Sequence, residues 1–255
     1  MKVENNLFIV SGGASGLGRQ TVCSLVNKGA YVGIIDINAE ASLALVEQLD
    51  EKYVHFPGSV DVTSEEQVEQ AIQEIKIKFQ IIPLVGAVLC SGVLMPPSHI
   101  EGYGPKSQLT SYQQFKHIVD INLLGTYNVI QKISNILIQN QPLNEDGERG
   151  VIITVSSITG LDGSLVGYGT SKAGIAGLTL PLARELAIFG IRSMCIAPGP
   201  FETPISTTAG DMKAPPCLFP SRHGHPTEFA DTVIHLITSS MLNGSIIRLD
   251  GGLRI

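Results

Sequence analysis

Tyr168 and Lys172 stand four residues apart, and Ser157 closes the apolar run 151–155 that precedes them. On a helix, residues at i and i+4 share one face, one turn apart. A phenol, an ammonium and a hydroxyl can then converge at the carboxyl edge of a sheet, where open α/β folds place ligands. A phenol titrates near pH ~10 and is a poor base at neutrality. A neighbouring ammonium favours the phenolate and lowers that value. At about 1.4 kcal/mol per pH unit, a useful base near neutrality needs roughly 4 kcal/mol of help. The alternative is an ordinary exposed helix pair, and the remainder of the chain decides between them.

Apolar strands and amphipathic helices alternate along the chain. The run 7–10 reads as a buried strand; Ser11-Gly12-Gly13-Ala14-Ser15-Gly16-Leu17-Gly18 follows it, then a helix over about 17–27. A glycine-rich turn there lets backbone approach a pyrophosphate and aims the helix N-terminus at it. A tight turn without a ligand would look the same. The context sharpens the reading: 31–35 is a second strand, and Asp36 ends it about 20 residues beyond the glycines, where a carboxylate can accept both hydroxyls of an adenosine ribose. It would repel a 2′-phosphate, and no arginine follows to reverse that, so NAD is favoured over NADP.

Helix 39–49, strand 54–56, a helix capped by Thr63 or Ser64, and the fully apolar strand 84–89 come next. Continuous apolar strands suit a parallel sheet covered on both faces. The expected fold is α/β, a Rossmann-type doubly wound parallel sheet of about seven strands with helices on both faces, in one domain over 1–255. The stretch 93–110 breaks the pattern as a long irregular loop. A helix then runs over about 112–139, with room for a bend at Gly125, and carries Asn122, whose amide needs partners. After the central segment come strand 191–197, a Pro/Thr/Ser/Gly-rich stretch to His225 that reads as a flap, a helix from Pro226 and a last strand over 245–249.

The chain has 255 residues and a net charge of -6 with no basic block, which argues against nucleic acid and anionic membrane surfaces as main partners. No run approaches the ~18 apolar residues of a membrane span. The four cysteines form no C-x-x-C pair and read as free thiols in a reducing, cytoplasmic setting. His223 and His225 lack partners at ligand spacing, so no metal is expected.

With these pieces in order, the chain resembles the short-chain dehydrogenase/reductases along nearly its whole length. The matching residues are Gly12, Gly16 and Gly18 of the cofactor loop, Asp61-Val62, Asn122, Ser157, the Tyr168/Lys172 pair and Pro198-Gly199. Within the family it looks most like the type-2 3-hydroxyacyl-CoA dehydrogenases, through Ser15-Gly16-Leu17-Gly18, Cys90, Asn122 to Thr126 and the tail 243–251. The long loop after Gly92 looks like an insertion those enzymes carry. The resemblance implies hydride transfer between NAD(H) and a secondary alcohol or ketone, such as a 3-hydroxyacyl-CoA. Hydroxysteroids or other small secondary alcohols are alternatives, as is a non-catalytic NAD-binding scaffold. It implies Tyr168 as base, Lys172 holding the nicotinamide ribose, Ser157 orienting the substrate oxygen, and Asn122 anchoring a proton-relay water. It places Cys90, Gly92, Phe201 and Thr203 on the cofactor, with the last two at its nicotinamide end. It also implies a homotetramer, in which Gly174, Ala176 and Gly177 permit close helix approach, and offers the mitochondrial matrix as an alternative compartment.

The chain departs from the family at three places; one is the flap after Thr203, a few residues shorter than in the acyl-CoA enzymes, which bears on substrate identity more than on reaction type. The family usually has Asn-Ala-Gly where this chain has Cys90-Ser91-Gly92, but the type-2 enzymes it resembles also place cysteine first, so this departure carries no weight. The loop between Ser157 and Tyr168 is also about two residues short, which leaves Ser156 and Ser164 as other candidates for the substrate-facing hydroxyl. The register that keeps Ser157 puts the deletion after Ser164, with Gly163 and Gly167 taking the tighter path.

Overall fold

The computed structural model describes residues 1–95, 110–204 and 216–255. Its strands are β1 (Leu7–Ser11), β2 (Tyr31–Ile35), β3 (Val54–His55), β4 (Leu84–Leu89), β5 (Gly150–Val155), β6 (Ile191–Pro198) and β7 (Ile246–Leu249). All pair in parallel, in the order β3-β2-β1-β4-β5-β6-β7. The chain winds outward from β1 to β3, then returns to β4 on the other side of β1. The reversal opens a crevice beyond the carboxyl ends of β1 and β4, the usual ligand position in such sheets.

The helices are α1 (Gly16–Asn27), α2 (Ala39–Leu49), α3 (Glu65–Lys78), α4 (Tyr112–Val119), α5 (Thr126–Leu137), α6 (Ile158–Asp162), α7 (Val166–Leu186) and α8 (Pro226–Thr238). Successive strand side chains point to opposite faces. Phe8 and Val10 therefore join one core with Val22 and Leu25 of α1 and Phe229 and Val233 of α8. Leu7 and Ile9 join the other with Ile72 and Ile75 of α3 and Ile130 and Ile133 of α5. Both faces are covered, which is why the strands read as unbroken apolar runs. Of the two candidate caps for α3, Ser64 does the work: its side chain accepts from Gln67 N.

Three local expectations need correction. The single helix over 112–139 is interrupted by a π-helical stretch, Asp120–Gly125, which carries Asn122. Gly125 does not bend the chain; it lets the helix approach Val62, whose Cγ2 would lie 2.6 Å from an added Cβ. The stretch after Ser157, expected as loop, begins with α6, and the Ser157 side chain caps it by accepting from Thr159 N. The tight path to α7 runs through Gly163 at φ +81° and Leu165 at φ +59°, whereas Gly167 is helical. Most of the irregular loop over 93–110, and the middle of the proposed flap, 205–215, lie outside the described residues.

Candidate active site

Sheet, glycine turn and α7 together line a cavity of about 1280 Å³ over the crevice. The glycine turn shapes its floor. Gly12 has φ +65°, and a Cβ there would lie 2.7 Å from Ser91 N; a Cβ on Gly18 would lie 2.0 Å from Gly12 O. Only glycine lets the start of α1 settle on this turn. Ser15, the N-cap of α1, makes no side-chain capping bond, and the first turn holds no acidic residue. Its N–H groups are left for another acceptor.

Asp36 stands at the far wall. Oδ2 accepts from Ala14 N and Oδ1 from Asn38 N, each at 2.9 Å. Each carboxylate oxygen has a further lone pair, so a ribose diol can still be held. Asp61 and Val62 border the same end, and Leu17, Cys90, Gly92, Pro198 and Gly199 border the middle. Gly16 faces Thr203, whose Cβ would lie 3.3 Å from an added Cβ. These features fit an adenine dinucleotide. Phe201 borders the cavity, but its ring is a core contact, edge-on to Phe229 with centroids 6.4 Å apart. The Cys90 thiol is pushed up to about 12 by burial, so it stays protonated.

At the other end, the first two turns of α7 carry Tyr168 and Lys172, and both border the cavity with Ser157. The adjacent serines separate cleanly. Ser156 Oγ donates to Lys172 O at 2.6 Å and ties β5 to α7. Ser157 Oγ accepts from Thr159 N at 3.2 Å and from Thr159 Oγ1 at 2.9 Å. A hydroxyl has two lone pairs and one proton. With both lone pairs engaged, the proton of Ser157 is directed to Tyr168, whose phenolate form this hydrogen bond favours.

The expectation that Lys172 draws the Tyr168 pKa down does not hold. Burial pushes the phenol up to about 12, opposed by the hydrogen bond from Ser157. The Lys172 ammonium lies 5.7 Å from the Tyr168 ring centroid and donates to Val155 O at 2.9 Å. Burial pushes it down to about 8. The same low-polarity wall thus drives both groups toward their neutral forms.

Asn122 is fully buried and does not border the cavity. Its Oδ1 accepts from Val93 N at 2.7 Å; its Nδ2 donates to Val93 O and to Ser171 Oγ, both at 3.0 Å. It pairs with the Val93 backbone as a neighbouring strand would, beyond the carboxyl end of β4. Gly92 is flanked by Asn122 Oδ1 and Lys172 Nζ, each 3.2 Å from an added Cβ. Sequence reasoning missed Thr159, Leu253 and Ile255. The last two border the cavity because Arg248 reaches Asp162 of α6 through two bonds of 2.7 and 2.8 Å, and Ile255 N donates to the same carboxylate at 3.2 Å. An arginine two residues before an aspartate at the end of the last strand was the available signal.

A dinucleotide cradle at one end of a crevice, and a phenol, hydroxyl and ammonium at the other, define a nicotinamide-dependent oxidoreductase of the doubly wound class. The comparisons narrow this. A model of the short chain dehydrogenase family matches residues 6–214. The 3-hydroxyacyl-CoA dehydrogenase type-2 of Rattus norvegicus is 38% identical over 260 residues, covering 99% of this chain and 97% of the relative. Ipsdienol dehydrogenase of Ips pini is 37% identical over 260 residues, covering 100% and 99%. The crystal structure of 3-hydroxyacyl-CoA dehydrogenase type-2 from Mycobacterium avium matches with a TM-score of 0.85 at 36% identity, covering 98% of this chain and 96% of that one. The chain belongs to the short-chain dehydrogenase family.

Proposed function

We propose that this enzyme interconverts 3-hydroxyacyl-CoA and 3-ketoacyl-CoA thioesters with NAD(H). The observation that carries the reading is the convergence of Tyr168, Ser157 and Lys172 on one cavity whose far wall is Asp36. When bound, the nicotinamide exchanges hydride with the substrate carbon. Tyr168 and Ser157 present hydroxyls to the single substrate oxygen. In reduction Tyr168 gives its proton to that oxygen; in oxidation it takes the proton back. Such acid–base help is worth about 10²–10⁴-fold. Lys172 holds the nicotinamide ribose, and Asn122 fixes Val93 and the end of β4, so that Gly92 lies beside the ammonium. Asp36 selects NAD over NADP by accepting a diol and repelling a phosphate. The similarity to a dehydrogenase of the alcohol ipsdienol supports a second reading, a secondary alcohol without CoA. Consumption of NADH with acetoacetyl-CoA, set against a panel of plain ketones, tests the two. Turnover of plain ketones alone overturns the first.

We also propose a homotetramer built through α4, α5 and α7. Leu124, Tyr127 and Leu180 are exposed there, and nothing lies within 4 Å of a Cβ placed on Gly177. Gly174 serves a different purpose, since Leu123 of the same chain would lie 2.8 Å from its Cβ. Light scattering at micromolar concentration tests the assembly, and a monomer there refutes it.

A further inference from the structure

Most ion pairs among the described residues have a solvent-exposed partner, and such pairs fix little. Two networks are exceptions: Arg192 with Glu148, and Arg248 with Asp162 and Asp250. The first has a structural task. Arg192 stands at the amino end of β6 and donates to Leu236 O and Ile237 O, each at 2.8 Å, which secures the end of α8. The second lies at the carboxyl edge of the sheet, beside the active-site cavity.

Arg248 joins two walls of that cavity. On the cofactor side, it lies on β7 in register with Ala197, and its Nε donates to Asp250 Oδ2 at 2.6 Å. Asp250 in turn packs on the loop after β6: a Cβ on Gly199 would lie 3.0 Å from Asp250 Cα. On the serine side, the two Nη groups of Arg248 donate to the two oxygens of Asp162, at 2.7 and 2.8 Å. The Asp162 side chain is 11% exposed and that of Arg248 22%. Desolvation offsets much of the attraction in a pair so placed, so its net contribution to stability is small. What a two-pronged bond fixes is direction as well as distance.

From Asp162 the constraint has a short route to the reacting hydroxyl. Asp162 closes α6, a helix of five residues whose N-cap is Ser157. A helix so short does not hold itself. The two residues after Asp162, Gly163 and Ser164, both donate their N–H to Thr159 O. Thr159 N and Oγ1 hold Ser157 Oγ. Arg248 therefore grips one end of a chain of bonds whose other end is the Ser157 oxygen. Hydride and hydroxyl must meet on one carbonyl, and an error of about 1 Å can cost ~10²-fold in rate.

We propose that Asp162 and Arg248 are positioning residues: their pair holds α6, and through Thr159 the Ser157 hydroxyl, in register with the cofactor side of the cavity. Neither side chain borders the cavity, so both act through other residues. The proposal rests on Ser157 as a donor to the reacting oxygen and is indifferent to whether that oxygen belongs to an acyl-CoA.

The test is a double-mutant cycle on kcat: wild type, Asp162→Asn, Ser157→Ala and the two together. The substrate is acetoacetyl-CoA, or a plain ketone if wild type reduces only that. Asp162→Asn keeps the shape of the side chain but loses the charge and one of the two bonds. It is expected to lower kcat by about tenfold, with NADH binding by fluorescence titration unchanged. In the Ser157→Ala protein it is expected to cost nothing further, because no hydroxyl is left to aim. Asp162→Glu, which keeps the charge, is expected to retain most of the activity. A loss that persists in the Ser157→Ala background overturns the assignment, since it would then run through the tail, where Ile255 N also donates to Asp162 at 3.2 Å. So do an unchanged kcat in Asp162→Asn, an equal loss in Asp162→Glu, and a parallel loss of NADH binding. If Ser157→Ala alone costs nothing, the role of Ser157 falls and the proposal falls with it. Should Asp162→Asn fail to fold, Arg248→Lys, which keeps the charge but not the two-pronged bond, takes its place in the cycle with the same expectations.

Discussion

Replacing Lys172 by methionine should make the protein more stable while removing its activity. Lys172 is 4% exposed, and its ammonium donates to Val155 O at 2.9 Å. Burial lowers its pKa from 10.5 to about 8. At ~1.4 kcal/mol per pH unit, that gap means the folded state spends about 3 kcal/mol to keep the ammonium charged at neutral pH. Methionine fills similar space without charge. It leaves Val155 O without its partner, which costs about 1 kcal/mol. The net gain is about 2 kcal/mol, or roughly 4–8 °C in Tm for a chain of this size. The pH dependence carries the sign. Below about 8 the lysine is protonated in both folded and unfolded chains, and the difference between the proteins is full. As pH rises toward 10.5 the unfolded lysine also becomes neutral, and the difference closes. Tyr168 titrates in both proteins and drops out of the comparison. Thermal or urea unfolding of both proteins at pH ~7 and at pH ~10 reads this directly. A variant no more stable than wild type at neutral pH, or a gap that does not narrow with pH, would refute the burial argument.

Because the Tyr168 phenol is held up to about 12, it stands ready as an acid and poorly prepared as a base. kcat/KM for oxidation should therefore climb steadily from neutral into alkaline pH while that for reduction does not, and an oxidative profile flat above neutrality contradicts the assignment. Thr159→Val removes the hydroxyl that donates to Ser157 at 2.9 Å. It should lower kcat by up to about tenfold with NADH binding unchanged, and Thr159→Ser should restore it; a matching loss in Thr159→Ser would show that only packing is involved. Asp36→Ala should lower kcat/KM for NAD by about 10–100-fold and raise it for NADP, since the lost contacts are charge-assisted; unchanged cofactor preference counts against Asp36 as the selector.

The strands and long helices were legible because each announces itself locally. Apolar runs such as Leu84–Leu89 have one reading when both sheet faces are covered, and Asn38 and Ser64 mark helix starts by chemistry that acts over three residues. The π-helical stretch was not legible, since Asp120–Gly125 keeps an apolar spacing that suits an α-helix equally well. Nor was α6, whose five residues are too few for a period to show. The cavity wall formed by Leu253 and Ile255 depends on an ion pair between Asp162 and Arg248, 86 residues apart. The direction of the Tyr168 shift was misread for a related reason. Spacing shows which charge is near, whereas desolvation depends on everything packed around the ring.

The short connection between Ser157 and Tyr168 is tied at several points. Asp162 is gripped by Arg248, Thr159 by its bonds to Ser157 and Ser164, and Ser156 by the carbonyl of Lys172. Two left-handed residues, Gly163 and Leu165, sit between those ties. Glycine adopts that conformation freely. Leucine does so against a cost of about 1–3 kcal/mol, which the surrounding contacts must offset. Strain of that size, lodged between Ser164 and the helix that carries Tyr168, fixes the path of the chain where it enters α7.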